Sequence, residues 1–199
     1  MKTMSQFQIM TEFPVPALIF RLALPAITSM MITNIYNMAD TAFIGTLGNS
    51  ASGAVGIVFG LMALIQSIGF LFGQGSGSII SRSLGKKDET NASTIASMGF
   101  FFSFCLGLLF TIFGLIFLQP LIMFLGSTET IAPYAKCYGI FILATAPFLA
   151  SSFTLNNILR FEGKAFFGMI GLSSGAILNI AGDALFIFVF KMGITGAGL

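Results

Sequence analysis

Long apolar stretches separated by short polar segments dominate the chain. Five such stretches lie at about residues 16–44, 51–80, 95–118, 132–155 and 165–190. Each is at least about 20 residues long, enough to cross a hydrocarbon core of roughly 30 Å as a helix. Only helices and closed barrels span lipid, and barrel strands are runs of ~10 residues with alternating hydrophobicity. The pattern therefore predicts an all-α polytopic membrane protein.

The segments between these stretches are short and polar. One of them, QPLIMFLGSTET, also contains apolar residues. It is predicted to be a simple loop, and the alternative is an amphipathic patch that lies at the outer surface. Residues 1–15 are predicted to be a cytoplasmic lead-in, because that orientation gives a positive-inside bias. It leaves only Lys136 and Lys191 outside and places inside Lys2, Arg21, Arg82, Lys86, Lys87, Arg160 and Lys164.

The composition agrees with a membrane protein and narrows its chemistry. The chain is 56% hydrophobic and 8% charged, whereas a soluble domain is about 25% charged. The net charge of +2 is too small to indicate a nucleic-acid partner. The absence of His excludes His-ligated metal sites and catalysis by Ser-His-Asp or Cys-His groups, so we expect a transporter and no enzyme. Cys105 and Cys137 are interpreted as small apolar residues.

A carboxylate, Asp40, lies within the first apolar stretch. An ionised Asp at membrane depth costs roughly 2.5–3.5 kcal/mol on insertion scales. Thr33, Tyr36 and Asn37 precede it at helical spacing, so all four are predicted on one stripe that faces the bundle interior or a water-filled cavity. Tyr36 is one turn from Asp40, close enough to donate to the carboxylate. For Thr33 and Asn37 the alternative is hydrogen bonding between helices.

The fifth stretch repeats this arrangement with Asn179 and Asp183, one turn apart. Asp40 and Asp183 are the only acids within the predicted spans, and we expect them at comparable depth in one shared site. Burial and a second carboxylate favour the protonated acid, while carboxylate and amide oxygens are ligands for Na⁺. The pair therefore predicts a cation-coupled transporter with H⁺ or Na⁺ as the coupling ion and no other cofactor. If the ion is Na⁺, its predicted ligands are Asp40, Asp183 and Asn179.

Two further stretches carry polar or small residues. The fourth has a polar inner half that includes Asn156 and Asn157, and its Pro147, like Pro25 in the first, is predicted to kink a helix. In the second, glycines recur every fourth residue from 69 to 77, which is typical of close helix packing, and Gln74 is expected to add a polar group to a cavity wall. A phosphate-binding loop at GQGSGS is excluded, because no strand precedes it and the Lys–Ser/Thr pair is missing.

Three segments together resemble the multidrug and toxic compound extrusion (MATE) transporters of bacterial and archaeal type. They are LALPAITSMMITNIYNMADTAFIGTLG, GFLFGQGSGSIISRSLGKKD and NNILRFEGKAFFGMIGLSSGAILNIAGDALFIF. The resemblance implies alternating access between two six-helix lobes of a twelve-helix protein, with export of small cationic or amphipathic drugs in exchange for H⁺ or Na⁺. It maps the site of the N-terminal lobe, with Asn157 as a second choice in the fourth span, onto Tyr36, Asp40, Asn156, Asn179 and Asp183.

The chain is shorter than the family pattern. We expect a partial N-terminal lobe at residues 16–199, with five full transmembrane helices and the start of a sixth, and a missing C-terminal lobe as its partner in the plasma membrane. Two alternatives stay open. One is a flippase for lipid-linked saccharides, which should have a basic cavity, although no predicted span carries a basic residue in its middle. The other is an inactive truncated product.

Overall fold

The computed structural model describes residues 14–46, 48–190, 192–193 and 195–196. Most of the predicted lead-in, and most of the predicted start of a sixth span, lie outside these residues. The described part of the chain is helical and contains no strand. A π-helical turn, Leu185–Val189, ends a series of α-helices: α1 (Val15–Gly45), α2 (Asn49–Gly85), α3 (Glu89–Ile116), α4 (Leu118–Phe124), α5 (Ala132–Phe161) and α6 (Ala165–Ala184).

Five of these helices, all except α4, are long and apolar enough to cross a membrane, which confirms the five predicted spans. Their boundaries follow local chemistry. Proline in the first turn of α1 suits a position whose N–H has no helical partner. Between α2 and α3 the chain turns through Lys87 with φ of 60°, and the Asp88 carboxylate then caps α3 by accepting from the Asn91 N–H at 3.0 Å.

Successive long helices alternate in direction, so their ends collect at two sides of the molecule. The side that carries α4 is called the α4 end, and it holds the last turns of α1 and α6 and the first turns of α2 and α5. The opposite side is called the basic end.

The connection between α3 and α5 differs from the predicted simple loop. Its first part forms α4, and the buried side chains of Leu118 and Ile122 hold this helix against the bundle. The two residues are one turn apart and share a face, so burial of that face stabilises a helix that its length alone would not. The simple-loop prediction was wrong for residues 119–124, and Leu118, predicted as the end of the third span, begins α4 instead.

Helices α2, α3 and α5 pack closely against one another and are called the bundle. The glycine repeat of α2 faces α5, as predicted. A Cβ added at Gly73 would lie 2.7 Å from the Asn157 Cβ, and one added at Gly107 of α3 would lie 2.7 Å from the Pro147 Cα. Such contacts require glycine, because a real Cβ does not approach another carbon so closely.

Helices α1 and α6 pack mainly on each other and are called the α1–α6 pair. The pair contacts the bundle at the α4 end, where Ile44 and Ile187 belong to the same buried core as Val55 and Leu143, and α6 also contacts α5 at the basic end. Elsewhere α1 is thinly covered, since only Ser29, Asp40 and Ile44 along its length are buried.

Candidate functional site

The two intramembrane acids are buried where the α1–α6 pair meets the bundle. The side chain of Asp40 on α1 is 6% exposed and that of Asp183 on α6 is 4% exposed. They lie close enough for their charges to interact. Tyr138 of α5, itself buried, donates from its phenol to the Asp40 Oδ2 across 3.4 Å, which is a long hydrogen bond. The site thus joins three helices through two acids and one phenol.

Helical spacing explains why the acids point inward. Ile44 follows Asp40 by one turn and Ile187 follows Asp183 by about one turn, and both isoleucines belong to the main core. Residues one turn apart lie on the same side of a helix, so burial of each isoleucine turns its acid toward the bundle. Both acids therefore lie on the bundle-facing side of their helices, about one turn from the buried isoleucines toward the basic end.

Each acid keeps one buried oxygen without a hydrogen-bond partner. These atoms are Oδ1 of Asp40 and Oδ2 of Asp183. A buried carboxylate oxygen without a donor is unfavourable, and two ionised carboxylates side by side are more so. A proton taken up by either acid, or a cation bound near their oxygens, reduces both penalties. The arrangement is therefore suited to take up positive charge.

No basic side chain compensates the acids in the described part of the chain. The ion pair found there joins Lys164 to Glu162 at 2.8 Å, at the basic end. No group of three or more His, Cys, Asp or Glu residues is found among the same residues. Within the described residues, ligands for a cation beyond the two acids are therefore limited to hydroxyl, amide and carbonyl oxygens.

The predicted stripe on α1 is only partly drawn into the site. Tyr36 is half-buried and close enough to Asp40 for an electrostatic interaction, but the phenol that donates to Asp40 is that of Tyr138. Thr33 is half-buried and donates to the Ser29 carbonyl at 2.9 Å within its own helix. Asn37 is half-buried, one turn from the acid.

The structure does not gather the remaining predicted residues around the acids. Asn179 is exposed on α6 and Gln74 is exposed on α2. Asn156 is buried but lies far from Tyr138 on the same helix. A rise of 1.5 Å per residue separates the two by roughly 27 Å along α5. Its amide donates to the Gly168 carbonyl of α6 at 3.0 Å, and that of Asn157 donates to the Phe153 carbonyl at 2.8 Å. In this structure these two amides make packing contacts at the basic end.

Tyr138 is the site residue that the sequence analysis missed. A signal was present, because α5 runs antiparallel to α1, so that an early position in α5 reaches the depth of a late position in α1. The π-helical turn just after Asp183 was also not predicted, although such turns are frequent at functional sites.

Comparison with known proteins places this geometry in a family. The MatE family model matches residues 25–185 of the chain. The chain belongs to the MatE family. Similar curated MATE proteins include the multidrug export protein MepA of Staphylococcus saprophyticus, 29% identical over 196 residues that make up 98% of this chain and 42% of MepA. MepA of Staphylococcus aureus strain MRSA252 is 31% identical over 188 residues, 94% of this chain and 42% of that protein.

Solved MATE structures have the same fold. An outward-facing multidrug resistance MATE transporter of the MOP superfamily matches with a TM-score of 0.90 and 30% identity, over 100% of this chain and 44% of that one. A MOP superfamily transporter from Pyrococcus furiosus, described as having a binding pocket of reverse polarity, matches with a TM-score of 0.91 and 30% identity over the same shares. The chain is thus a polytopic membrane protein that matches the N-terminal lobe of MATE transporters, and it spans less than half the length of these relatives.

Proposed function

We propose that this chain forms the ion-coupling lobe of a cation-coupled antiporter that exports drugs across the plasma membrane by alternating access. The observation that carries the proposal is the buried pair of Asp40 and Asp183, each with one oxygen lacking a hydrogen-bond donor. Acids of this kind inside a membrane are expensive and are typical of proton and ion pathways. Membership of the MatE family and the similarity to a multidrug export protein support drug export as the proposed activity.

The coupling step follows from the position of the acids. Uptake of H⁺ or Na⁺ neutralises Asp40 and Asp183 and removes the electrostatic penalty of holding them together. Asp40 lies on α1, which is the least covered of the long helices, and it is held to the bundle through Tyr138. Neutralising Asp40 weakens its charge-assisted bond with Tyr138 and changes how α1 is held, and this rearrangement releases the drug.

The ion itself is either H⁺ or Na⁺. The buried oxygens at the site are those of the two acids and Tyr138, with Tyr36 nearby. Na⁺ would need additional ligands, and Asn179 could serve only after a change of side-chain or helix orientation, since it is exposed in this structure. A proton needs none. No other cofactor is part of the proposal.

The proposed substrates are small cationic or amphipathic drugs, in keeping with the multidrug export named for the relatives. We assign Thr33, Asn37 and Gln74, which are half-buried or exposed, to polar contacts along the substrate path. A C-terminal lobe is the proposed partner, because the relatives are more than twice as long and alternating access needs a second half.

The proposed orientation has residue 1 in the cytoplasm. The described basic residues divide unequally between the two ends. The α4 end carries Lys136, whereas the basic end carries Arg21, Arg82, Lys86, Lys87, Arg160 and Lys164. This division follows the positive-inside rule.

The deciding experiment is transport by the complete antiporter that contains this lobe, with H⁺ and Na⁺ gradients imposed separately. We expect drug efflux to follow one of the two gradients and to be lost in Asp40→Asn at unchanged expression. The matched control is Asp88→Asn, which changes an exposed acid and keeps a side chain able to cap α3. Efflux in Asp40→Asn equal to that of the parent would overturn the coupling role.

A further inference from the structure

Helix α4 is held rigidly on one face and open on the other. Leu118 and Ile122 contribute that buried face, and their side chains pack near Leu61 and Gly139 of the bundle. The partly buried Leu121 and Leu125 extend it. One face of the helix is therefore fixed against α2 and α5.

The opposite flank of α4 exposes large apolar side chains. Phe117, which immediately precedes α4, is 56% exposed, and Phe124, its last residue, is 87% exposed. Met123, next to them, is 42% exposed. Side chains of this size are seldom left in water without a partner, so the flank is a candidate contact surface.

This surface continues one that faces lipid. Phe113 and Ile116 on α3 are exposed, and Phe117 extends their surface without a break in the chain. Helix α3 is one of the five helices long and apolar enough to cross the membrane, so its exposed apolar side lies against acyl chains. We therefore expect the lipid acyl chains that face α3 to reach the first turn of α4 as well.

The polar boundary lies immediately beyond α4. Gly126 has φ of +97° and turns the chain, and the exposed Thr128 and Glu129 follow it. A helix with an apolar flank, set between a membrane span and a polar turn, lies where the acyl region meets the headgroups. The charge on Glu129 stays in water.

We propose that α4 is an interfacial anchor, whose Phe117, Met123 and Phe124 insert into the headgroup–acyl boundary of the bilayer leaflet at the α4 end. The partner is the phospholipid bilayer itself. Because Ile122 fixes α4 to the bundle next to Gly139, the anchor also fixes the depth of α5 and hence of Tyr138. The bundle keeps its level in the membrane while α1 moves.

The chain offers a clean test because it contains no Trp. Phe124→Trp introduces a single indole at the proposed depth, and Glu129→Trp introduces one in the adjacent polar turn as the matched control. Each variant of the full chain is reconstituted into phosphatidylcholine vesicles that contain lipid brominated either near the headgroup or deep in the acyl chain. Helical content by circular dichroism selects the folded samples.

The anchor predicts a blue-shifted emission for Phe124→Trp, with strong quenching by the shallow bromines, weaker quenching by the deep ones, and little by aqueous iodide. Glu129→Trp should emit at longer wavelength and be quenched by iodide. Iodide quenching of Phe124→Trp as strong as that of the control would overturn the proposal. Protection from both iodide and bromine would overturn it as well, because the flank would then be covered by protein. Phe117→Trp provides a second reporter should Phe124→Trp fail to fold.

Discussion

The bundle and the α1–α6 pair are both built from apolar helices long enough to cross a membrane, but they are packed differently. In its most apolar 18-residue stretch α5 is 50% buried, whereas α1 is 6% buried. The bundle holds the close glycine contacts, and the pair holds both acids. The α1–α6 pair, which is less covered, therefore packs against the more tightly packed bundle. The candidate site lies where the two meet.

The two helices that contain an internal proline show the same difference at the level of single hydrogen bonds. Pro147 has no N–H for the Leu143 carbonyl, and Thr111 of α3 replaces it by donating to that carbonyl at 2.6 Å. Pro25 of α1 likewise deprives the Arg21 carbonyl of its helical donor, and among the described residues no side chain from another helix replaces it. The unpaired carbonyl in α5 is thus satisfied by a neighbouring helix, whereas within the described residues the one in α1 is not.

The largest expected effect is an overpacked bundle. Gly107→Leu would place its Cβ 2.7 Å from the Pro147 Cα and force α3 away from α5, which should cost about 1–3 kcal/mol or more of unfolding free energy. The measurement is the thermal midpoint and folded yield in detergent. Gly175→Leu is the control, because nothing lies within 4 Å of a Cβ at this position in α6. An equal loss of stability in both variants would show that the bundle is not packed more tightly than the α1–α6 pair.

A smaller effect on stability, but a clear one on function, is expected at the contact between the two parts. Tyr138→Phe removes the donor to Asp40 and leaves packing almost unchanged, so transport should fall by the equivalent of about 1–3 kcal/mol while the thermal midpoint shifts little. The exposed Tyr134 provides the control, and Tyr134→Phe should transport normally. Normal coupled efflux by Tyr138→Phe would show that this bond does not link α1 to the bundle.

The smallest expected effect is the loss of the bond that replaces the missing donor at Pro147. Thr111→Val keeps the shape of the side chain but removes its hydroxyl, which should lower the unfolding free energy by about 1 kcal/mol. Thr145→Val is matched, since the exposed Thr145 donates only within its own helix. If both variants unfold at the same denaturant concentration as the parent, the hydrogen bond from Thr111 does not stabilise α5 at Pro147.

The fold was largely predictable because lipid imposes a simple rule on sequence. Each apolar run of about 20 residues had to become a spanning helix, and the acids Asp40 and Asp183 were conspicuous in such runs. Helix α4 was not predicted, because its seven residues are helical only when Leu118 and Ile122 are buried by helices distant in sequence. Local pattern does not contain that information.

The candidate site was predictable in its acids but not in the groups around them. Tyr138 reaches Asp40 across 98 positions of sequence, a pairing set by how α5 lies beside α1. Asn179 shares a stripe with Asp183 by spacing, yet it is exposed while Ala176 and Asp183 on either side of it along that stripe are buried. Spacing fixes the face of a helix, whereas the neighbouring helices decide how much of that face is enclosed.

Ile44 and Ile187, one turn beyond the acids, affect how easily water and ions reach the acids from the α4 end. A water molecule moving along α1 from the α4 end meets Ile44 before it meets Asp40, and along α6 it meets Ile187 before Asp183. These same two side chains hold the pair to the bundle. Water therefore reaches the acids from this end only when the packing of Ile44 and Ile187 against the bundle loosens. In the proposed antiporter, the packing of these two isoleucines limits leakage of the driving ion from this end.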